Sequence, residues 1–178
     1  MQFEQLSVIS PQFEAHTMSE AEVLGAAVWL WMQSSTHQGA PLTALNTLLL
    51  PAIKTGQYLL AFEQGQPVAY VAWAQLDEPR ETAYLQHASR LTDNSDWCSG
   101  ERHWFTDYIA PFGHAQHIYQ LLTHQLFPEA LFRSLHHKGN DRGLRIVQWH
   151  GVAVHPLEAR HWFEQHPVCW PTPLTAQA

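Results

Sequence analysis

Cysteine is scarce in this chain, which also has no long apolar run and no secretion signal at its start. Cys98 and Cys169 are the two cysteines, and their spacing matches neither a disulfide framework nor a zinc motif. We expect both to be free thiols, as in a reducing compartment. No apolar run reaches the length of a membrane span, and the first residues lack the basic start and cleavage site of a signal peptide. These absences predict a cytoplasmic protein without stable membrane insertion.

Basic residues are also few. Nine Lys and Arg residues face sixteen Asp and Glu residues, so the formal charge is −7 at pH 7. Binding to nucleic acid requires clustered Lys and Arg to neutralise phosphates, so we expect no nucleic-acid partner. Apolar residues make up 46% of the chain, which predicts one folded domain with a sizeable core. Thirteen histidines should make the net charge sensitive to pH near 6.

The residue pattern predicts an α+β domain in which helices pack on a mixed sheet. Ser19 and Glu22 have the spacing of a capping box, and apolar residues follow at helical intervals. The predicted helices cover residues 19–33, 41–50, 79–88, 114–126 and 156–165, and the predicted strands cover 57–62, 67–76, 102–110, 131–137 and 143–150. We expect a loose N-terminal extension over 1–18, a single domain over 19–167 and a flexible tail over 168–178.

One acidic residue, Asp107, stands in the apolar and aromatic segment HWFTDYIAPFGH. A buried carboxylate is costly unless another group pairs with it. His37, which follows the tryptophan-rich run that begins at Trp29, is a candidate partner. A histidine can accept a proton near neutral pH, and a carboxylate can hold its ring in one tautomer. From the pattern alone, however, a histidine after a helix is usually a surface or capping residue, and an aspartate near a strand end is more often a turn former.

Six segments of the chain resemble the conserved blocks of the RTX-toxin-activating lysine acyltransferases. They are LGAAVWLWMQSSTH (24–37), PLTALNTLLLPAIKTGQYLLAF (41–62), QPVAYVAWAQL (66–76), DWCSGERHWFTDYIAPFGH (96–114), FPEALFRSL (127–135) and WHG (149–151). The resemblance implies a fold like that of the GCN5-related acetyltransferases, with a mixed, mainly antiparallel sheet. It also implies transfer of a fatty acyl group from acyl-carrier protein to lysines of an RTX protoxin. Gln38 and Gly39 depart from the family's usual basic residue after the histidine, which bears on docking and substrate choice rather than on the reaction.

The resemblance assigns His37 and Asp107 as the catalytic histidine and aspartate and places Ser34 near the site. Lysine attack requires a neutral amine, and only about one lysine in two thousand is neutral at pH 7. We expect His37 to be the general base and Asp107 to orient it. Ser34 could donate to the oxyanion or simply terminate the first helix. Direct transfer is the favoured route, and the alternative is an acyl group held covalently on His37 or Ser34.

The expected partners are acyl-carrier protein, as the donor co-substrate, an RTX protoxin and, from the resemblance, a second copy of the chain. No permanently bound cofactor is expected. Five basic residues could bind the acidic carrier or could be ordinary solvated residues: Arg102, Arg133, Lys138, Arg142 and Arg145. Five tryptophans could line an acyl groove but are more simply core residues: Trp29, Trp31, Trp73, Trp97 and Trp104.

Other interpretations of the sequence are weaker. His114, His117 and His124 have helical spacing but no HExxH motif, so we expect no metal site. Nothing near Cys98 should activate it as a nucleophile. The chain could instead be a non-catalytic binding module or chaperone for the carrier or the toxin. A coenzyme A-dependent small-molecule acyltransferase is disfavoured, because the chain lacks a Gly-rich pyrophosphate loop.

Overall fold

In the computed structural model, which describes residues 1–15, 17–87, 91–138 and 141–168, the chain forms a seven-stranded sheet with helices on both faces. The strands are β1 (Gln2–Phe3), β2 (Leu6–Ile9), β3 (Tyr58–Glu63), β4 (Gln66–Leu76), β5 (Arg102–Ile109), β6 (Leu131–Lys138) and β7 (Asp141–His150). Their order in the sheet follows the chain, and every neighbouring pair is antiparallel except β5 and β6. The predicted α+β class is confirmed.

Most of the predicted helices lie close to their expected positions. They are α1 (Glu20–Gln33), α2 (Leu50–Thr55), α3 (Glu78–Gln86), α4 (Ala115–Gln120) and α5 (Pro156–Gln165). A π-helical segment, Leu45–Leu49, precedes α2, and a second one, Leu121–Leu126, continues α4. Among the described residues, no helix combines the length and apolar composition of a membrane span.

The second helix differs from its prediction. Pro51 was expected to follow its end, but it lies in the first turn of α2. A proline fits there because a first-turn N–H has no partner within the helix. The helix instead ends at Gly56, whose positive φ of 71° suits the left-handed C-terminal cap.

Two short strands, which the residue pattern did not predict, form in the N-terminal residues. β2 pairs with β3, and Leu6 and Val8 are each only 1% exposed, whereas Ser7 between them is exposed. This alternation buries one side of a short strand against the sheet. The predicted tail falls outside the described residues from 169 onward.

Two hydrophobic clusters cover the two faces of the sheet. On one face, α1 and α2 pack over Leu60, Tyr70 and Ala72. On the other, Leu121 and Leu122 of the segment after α4 pack over strand residues that include Leu59, Val71, Trp73 and Phe105. The alternation along β3 and β4 explains this division, since neighbouring side chains on a strand point to opposite faces.

The alternation is interrupted once in β5, beside the predicted acid. Ala72 of β4 pairs with Asp107, but the next residue, Trp73, pairs with Phe105, so Thr106 has no partner on β4. Such a β-bulge adds one residue to one strand and re-aims the side chains beyond it. Phe105 therefore packs on the α4 face, whereas Asp107 contacts Trp31 of α1 on the opposite face.

The sheet also opens at this point. The parallel pairing of β5 with β6 covers His103, Trp104 and Phe105 and goes no further. Beyond Phe105, β5 continues beside β4, whereas β6 continues beside β7. The two strands therefore diverge, and a cleft opens between them next to the bulge.

Candidate active site

His37 and Asp107 lie side by side in the folded chain. His37 Nε2 is 3.2 Å from Asp107 Oδ1, and the Asp107 side chain is only 6% exposed. The other carboxylate oxygen, Oδ2, accepts a hydrogen bond of 2.8 Å from Trp31 Nε1. The buried acid thus has a partner on each oxygen, which meets the requirement that burial imposes on it.

The turn that follows α1 places His37 beside Asp107. Ser34 caps the helix, its N–H donating to Trp31 O at 3.1 Å. A turn follows, in which the His37 N–H donates to Ser34 O at 3.0 Å. This turn folds the imidazole back over the helix, where its ring lies 5.0 Å from the Trp31 ring.

The second ring nitrogen of His37 faces two hydroxyl groups. Ser34 Oγ and Thr36 Oγ1 each lie 2.8 Å from Nδ1 and 2.9 Å from each other. Because Nε2 faces a carboxylate, we assign the ring proton to Nε2, which leaves a lone pair on Nδ1 to accept from a hydroxyl. The arrangement can therefore remove a proton from a group placed at Nδ1, while Asp107 holds the ring.

His37 and Asp107, here called the dyad, line a cleft between β5 and β6 that has a volume of about 320 Å³. Its lining consists of Thr36, His37, Tyr84, Phe105, Thr106, Asp107, Tyr108, Ser134, Leu135, His136, Val147 and Trp149. The hydroxyl of Thr106, the bulge residue, is buried and has no hydrogen-bond partner among the described residues. The cleft is large enough for an extended substrate, and one of its walls carries an unpaired hydroxyl.

Two tyrosines near Asp107 are held in the neutral form. Burial raises the pKa of Tyr70 well above its ordinary value, and the charge of Asp107 raises it further. Burial and then Asp107 likewise raise the pKa of Tyr84, which lines the cleft. A phenol with a raised pKa does not act as a base near neutral pH, so His37 is the better candidate for that role.

Two of the arginines predicted to contact a carrier, Arg102 and Arg133, instead meet at one buried carboxylate, Glu81. Arg133 is 1% exposed and donates to Glu81 Oε1 at 3.2 Å, and burial lowers its pKa. Arg102 donates to the other oxygen of the fully buried Glu81 at 2.6 Å. These two arginines join α3 to the sheet and present little charge to a partner. Arg145 lies exposed on β7, and the side chains of Lys138 and Arg142 fall outside the described residues.

Four of the five tryptophans that were expected to be core residues lie in the core, and Trp29 does not. Trp31, Trp73, Trp97 and Trp104 are buried, so the core interpretation is confirmed for them. Trp29 is 37% exposed and packs against the ring of Phe112, which is 46% exposed.

His114, His117 and Cys98 take part in other contacts. His114 Nε2 lies 3.5 Å from Glu63 Oε2, and His117 Nε2 lies 3.5 Å from Glu4 Oε2. No group of three or more potential metal ligands occurs in the described part of the chain. Cys98 Sγ donates to a glutamine side chain, and burial raises the pKa of its thiol, which lowers the thiolate fraction that a nucleophile needs.

Sequence reasoning missed two contributors to this site. Trp31 was interpreted as core, yet its indole N–H bonds the acid directly. Thr36 was not considered, yet its hydroxyl contacts the histidine. The short spacing of Ser34, Thr36 and His37 after a helix end was the available signal, because such a turn can place the two hydroxyl groups beside the histidine ring.

Comparison with known proteins finds relatives over most of the chain. The RTX toxin acyltransferase family matches residues 16–150. A leukotoxin-activating lysine-acyltransferase of Aggregatibacter actinomycetemcomitans is 41% identical over 146 residues, which cover 82% of this chain and 85% of the relative. A protein-lysine myristoyltransferase of Kingella kingae is 38% identical over 151 residues, covering 84% and 88%. Another of Escherichia coli is 35% identical over 145 residues, covering 82% and 84%.

Proposed function

This chain belongs to the RTX toxin acyltransferase family, and we propose that it transfers a fatty acyl group from acyl-carrier protein to internal lysines of an RTX protoxin. The observation that carries the proposed chemistry is the His37–Asp107 pair at a cleft whose lining includes aromatic and aliphatic side chains. The relatives' names supply the acceptor class, since they describe lysine acylation and toxin activation.

The fold we propose is related to that of the GCN5-related acetyltransferases. The feature that supports this relationship is the mixed, mainly antiparallel sheet with helices packed on it. The bulge at Thr106 and the divergence of β5 from β6 give this sheet its site. Together they leave a cleft inside an otherwise continuous sheet. A cleft of this kind suits a linear thioester, because the thioester can lie between the strands and place its carbonyl beside His37.

In the proposed reaction, His37 acts as the general base. The neutral lysine amine attacks the thioester carbonyl, its surplus proton passes to Nδ1, and the carbon–sulfur bond of the donor breaks. The imidazolium then returns the proton to the departing thiolate, so that an amide and a free carrier thiol result. Asp107 keeps the Nε2 proton in place and stabilises the imidazolium. The unpaired hydroxyl of Thr106 is the candidate donor to the developing oxyanion.

A second route is favoured by one contact. Ser34 Oγ already lies 2.8 Å from Nδ1, as a serine nucleophile would beside its base. In this route Ser34 carries the acyl group before lysine does. Intact-mass measurement after addition of acyl-loaded carrier protein, without protoxin, separates the covalent route from direct transfer. An added acyl mass that disappears in Ser34→Ala supports the covalent route, and an unmodified mass supports direct transfer.

The acidic carrier protein needs positive surface on this chain for rapid encounter. Arg102 and Arg133 are engaged by Glu81, so among the candidates with described side chains the proposed docking contact is Arg145, which is exposed on β7. An Arg145→Glu variant should raise the KM for acyl-carrier protein and weaken the salt dependence of the reaction, with kcat unchanged. A KM that does not respond would remove this contact from the proposal.

The decisive experiment combines the protein with a long-chain acyl-carrier protein and an RTX protoxin, and maps acylated lysines by mass. Wild type should acylate the protoxin, whereas His37→Ala and Asp107→Asn should lose most of that activity. His117→Ala is the matched control, because this histidine also faces a carboxylate, Glu4, but lies on α4. Full activity in His37→Ala refutes the base assignment. Tight binding of the carrier without any turnover, unaltered in Asp107→Asn, identifies a binding module instead.

A further inference from the structure

The cleft beside the dyad is lined by two chemically different sets of side chains. Its lining includes the polar groups of Thr36, His37 and Asp107, which lie toward α1, and the rings of Tyr108 and Trp149, which pack against the cluster on the α4 face. The region between them opens because β5 and β6 stop pairing after Phe105 and Ser134. A substrate that reacts at His37 and fills this cleft therefore also contacts the rings of Tyr108 and Trp149.

The two sets of side chains also lie on opposite faces of the sheet. Asp107 is bonded to Trp31, whose side chain belongs to the cluster on the α1 face. Tyr108 and Trp149 pack against the cluster on the α4 face. The cleft thus passes through the gap between the diverging strands, and a ligand whose reacting group is at His37 extends through the sheet toward Trp149.

The side chain of Trp149 is fixed in place by contacts from three elements. Its Nε1 donates to Ser134 Oγ at 2.7 Å. Its ring stacks on Tyr108, with centroids 6.3 Å apart and an angle of 14°, and meets the Phe105 ring edge-on at 5.9 Å. Tyr119, after the start of α4, contacts the same indole at 5.6 Å. Trp149 is therefore a preformed wall, and a ligand that packs on it does not have to order it first.

Two hydroxyl groups beside this wall each make one hydrogen bond within the protein. The Ser134 hydroxyl accepts from Trp149, and the Tyr108 hydroxyl donates to Ala115 O at 2.7 Å. Each keeps a further hydrogen-bonding site, but the rings of Trp149 and Tyr108 present mainly hydrocarbon to the cleft, and this suits an acyl chain better than the two amides of a pantetheine arm. We propose that the acyl chain of the donor lies between β5 and β6 against Trp149, and that Trp149 limits the length of chain the enzyme accepts. This inference rests on the proposed acyl-transfer function.

The size of the expected effect follows from the burial of methylene groups. Each methylene transferred from water to an apolar site changes a binding constant roughly fourfold. Removing the indole in Trp149→Ala extends the apolar space, so the preference for long over short chains should rise by up to about that factor for each methylene newly accommodated. Val147 lines the same cleft from the same strand, and Val147→Phe should fill it and shift the preference toward short chains.

The test presents a mixture of carrier proteins with acyl chains of different length and measures, by mass, the distribution of chains on the protoxin lysines. Trp149→Ala and Val147→Phe should shift the distribution in opposite directions, and Trp149→Phe, which keeps a ring at the position, should resemble wild type. Identical distributions in wild type and all three variants overturn the inference. An equal loss for every chain length also overturns it, because it indicates that the pantetheine arm occupies the wall.

A second measurement does not depend on turnover. The same variants are titrated calorimetrically with free fatty acids of increasing length, below their micelle concentrations. An affinity maximum that moves to longer acids in Trp149→Ala and to shorter acids in Val147→Phe supports the site, even if wild type transfers no acyl group and the proposed function fails. An affinity series that is the same in all variants overturns the site, even if transfer is observed.

Discussion

Replacement of Trp31 by phenylalanine should lower kcat, and the loss of folding stability alone should not explain the decrease. The indole N–H is one of two donors to the buried Asp107 carboxylate, at 2.8 Å, and the ring also packs on His37. Phenylalanine keeps an aromatic ring beside His37 but removes the donor. Asp107 is then held by His37 alone, so the orientation of the pair is less defined.

The magnitude follows from the strength of one hydrogen bond. A hydrogen bond to a charged group contributes about 1.5–3 kcal/mol. If Asp107 is positioned by this bond and the whole contribution is expressed in the transition state, kcat falls by roughly 10- to 150-fold. Trp31 does not line the cleft, so the KM for either substrate should stay unchanged. Steady-state kinetics with purified acyl-carrier protein and protoxin separate the two parameters.

Trp104→Phe is the matched control. Trp104 is fully buried, and its Nε1 donates to Glu81 Oε1 at the same distance, 2.8 Å. Both variants should lose about 2–4 kcal/mol of unfolding free energy in urea, from the lost bond and the smaller ring, but only Trp31→Phe should lose kcat. If the two variants have the same kcat, whether unchanged or lowered relative to wild type, the positioning role of Trp31 is refuted.

Three further predictions concern stability. Glu81→Ala should cost about 3–5 kcal/mol in urea unfolding, because it leaves Arg133 as a buried charge without its carboxylate, whereas Glu78→Ala, on the same helix but 59% exposed, should cost less than about 1 kcal/mol; similar losses would contradict the importance of burial. Tyr70→Phe removes a buried hydroxyl that has no hydrogen-bond partner among the described residues, so it should keep or raise the unfolding free energy, by about 1 kcal/mol, and a clear loss would show that the hydroxyl is bonded. Burial lowers the pKa of His103, so its contribution to stability is complete above about pH 6.5 and is lost as the pH falls through the lowered value; His103→Gln should therefore flatten the loss of stability between neutral and mildly acidic pH, and an unchanged pH profile would contradict this.

The parts of the fold that could be predicted are those with local causes. The capping box at the start of α1 is formed as the sequence indicates, and Ser19 N donates to Glu22 at 2.7 Å. The strand around Asp107 was expected over 102–110 and is observed over Arg102–Ile109. Both signals involve residues close in sequence, so they are readable without knowledge of the tertiary contacts.

The parts that could not be predicted depend on distant partners. β2 is four residues long and exists as a strand because β3 pairs with it. Arg133 has the composition of a surface residue, yet Glu81, from a helix 52 residues earlier, holds it in the interior. The residues around Arg133 in the sequence give no sign of this partner. The sequence therefore could not show whether Arg133 is a surface docking residue or a buried ion-pair residue.

The candidate site combines both kinds of information. The pairing of His37 with Asp107 was expected from a family resemblance, and the structure brings the two residues together. The physical reason for their meeting is the extra residue, Thr106. With regular alternation, Asp107 and Phe105 would share a face, and the carboxylate would point toward α4 and away from α1. The bulge reverses this, and the divergence of β5 and β6 begins at the same place. One inserted residue therefore accounts for an acid, Asp107, that faces His37 on one side of the sheet while the ring of Trp149 lies on the other.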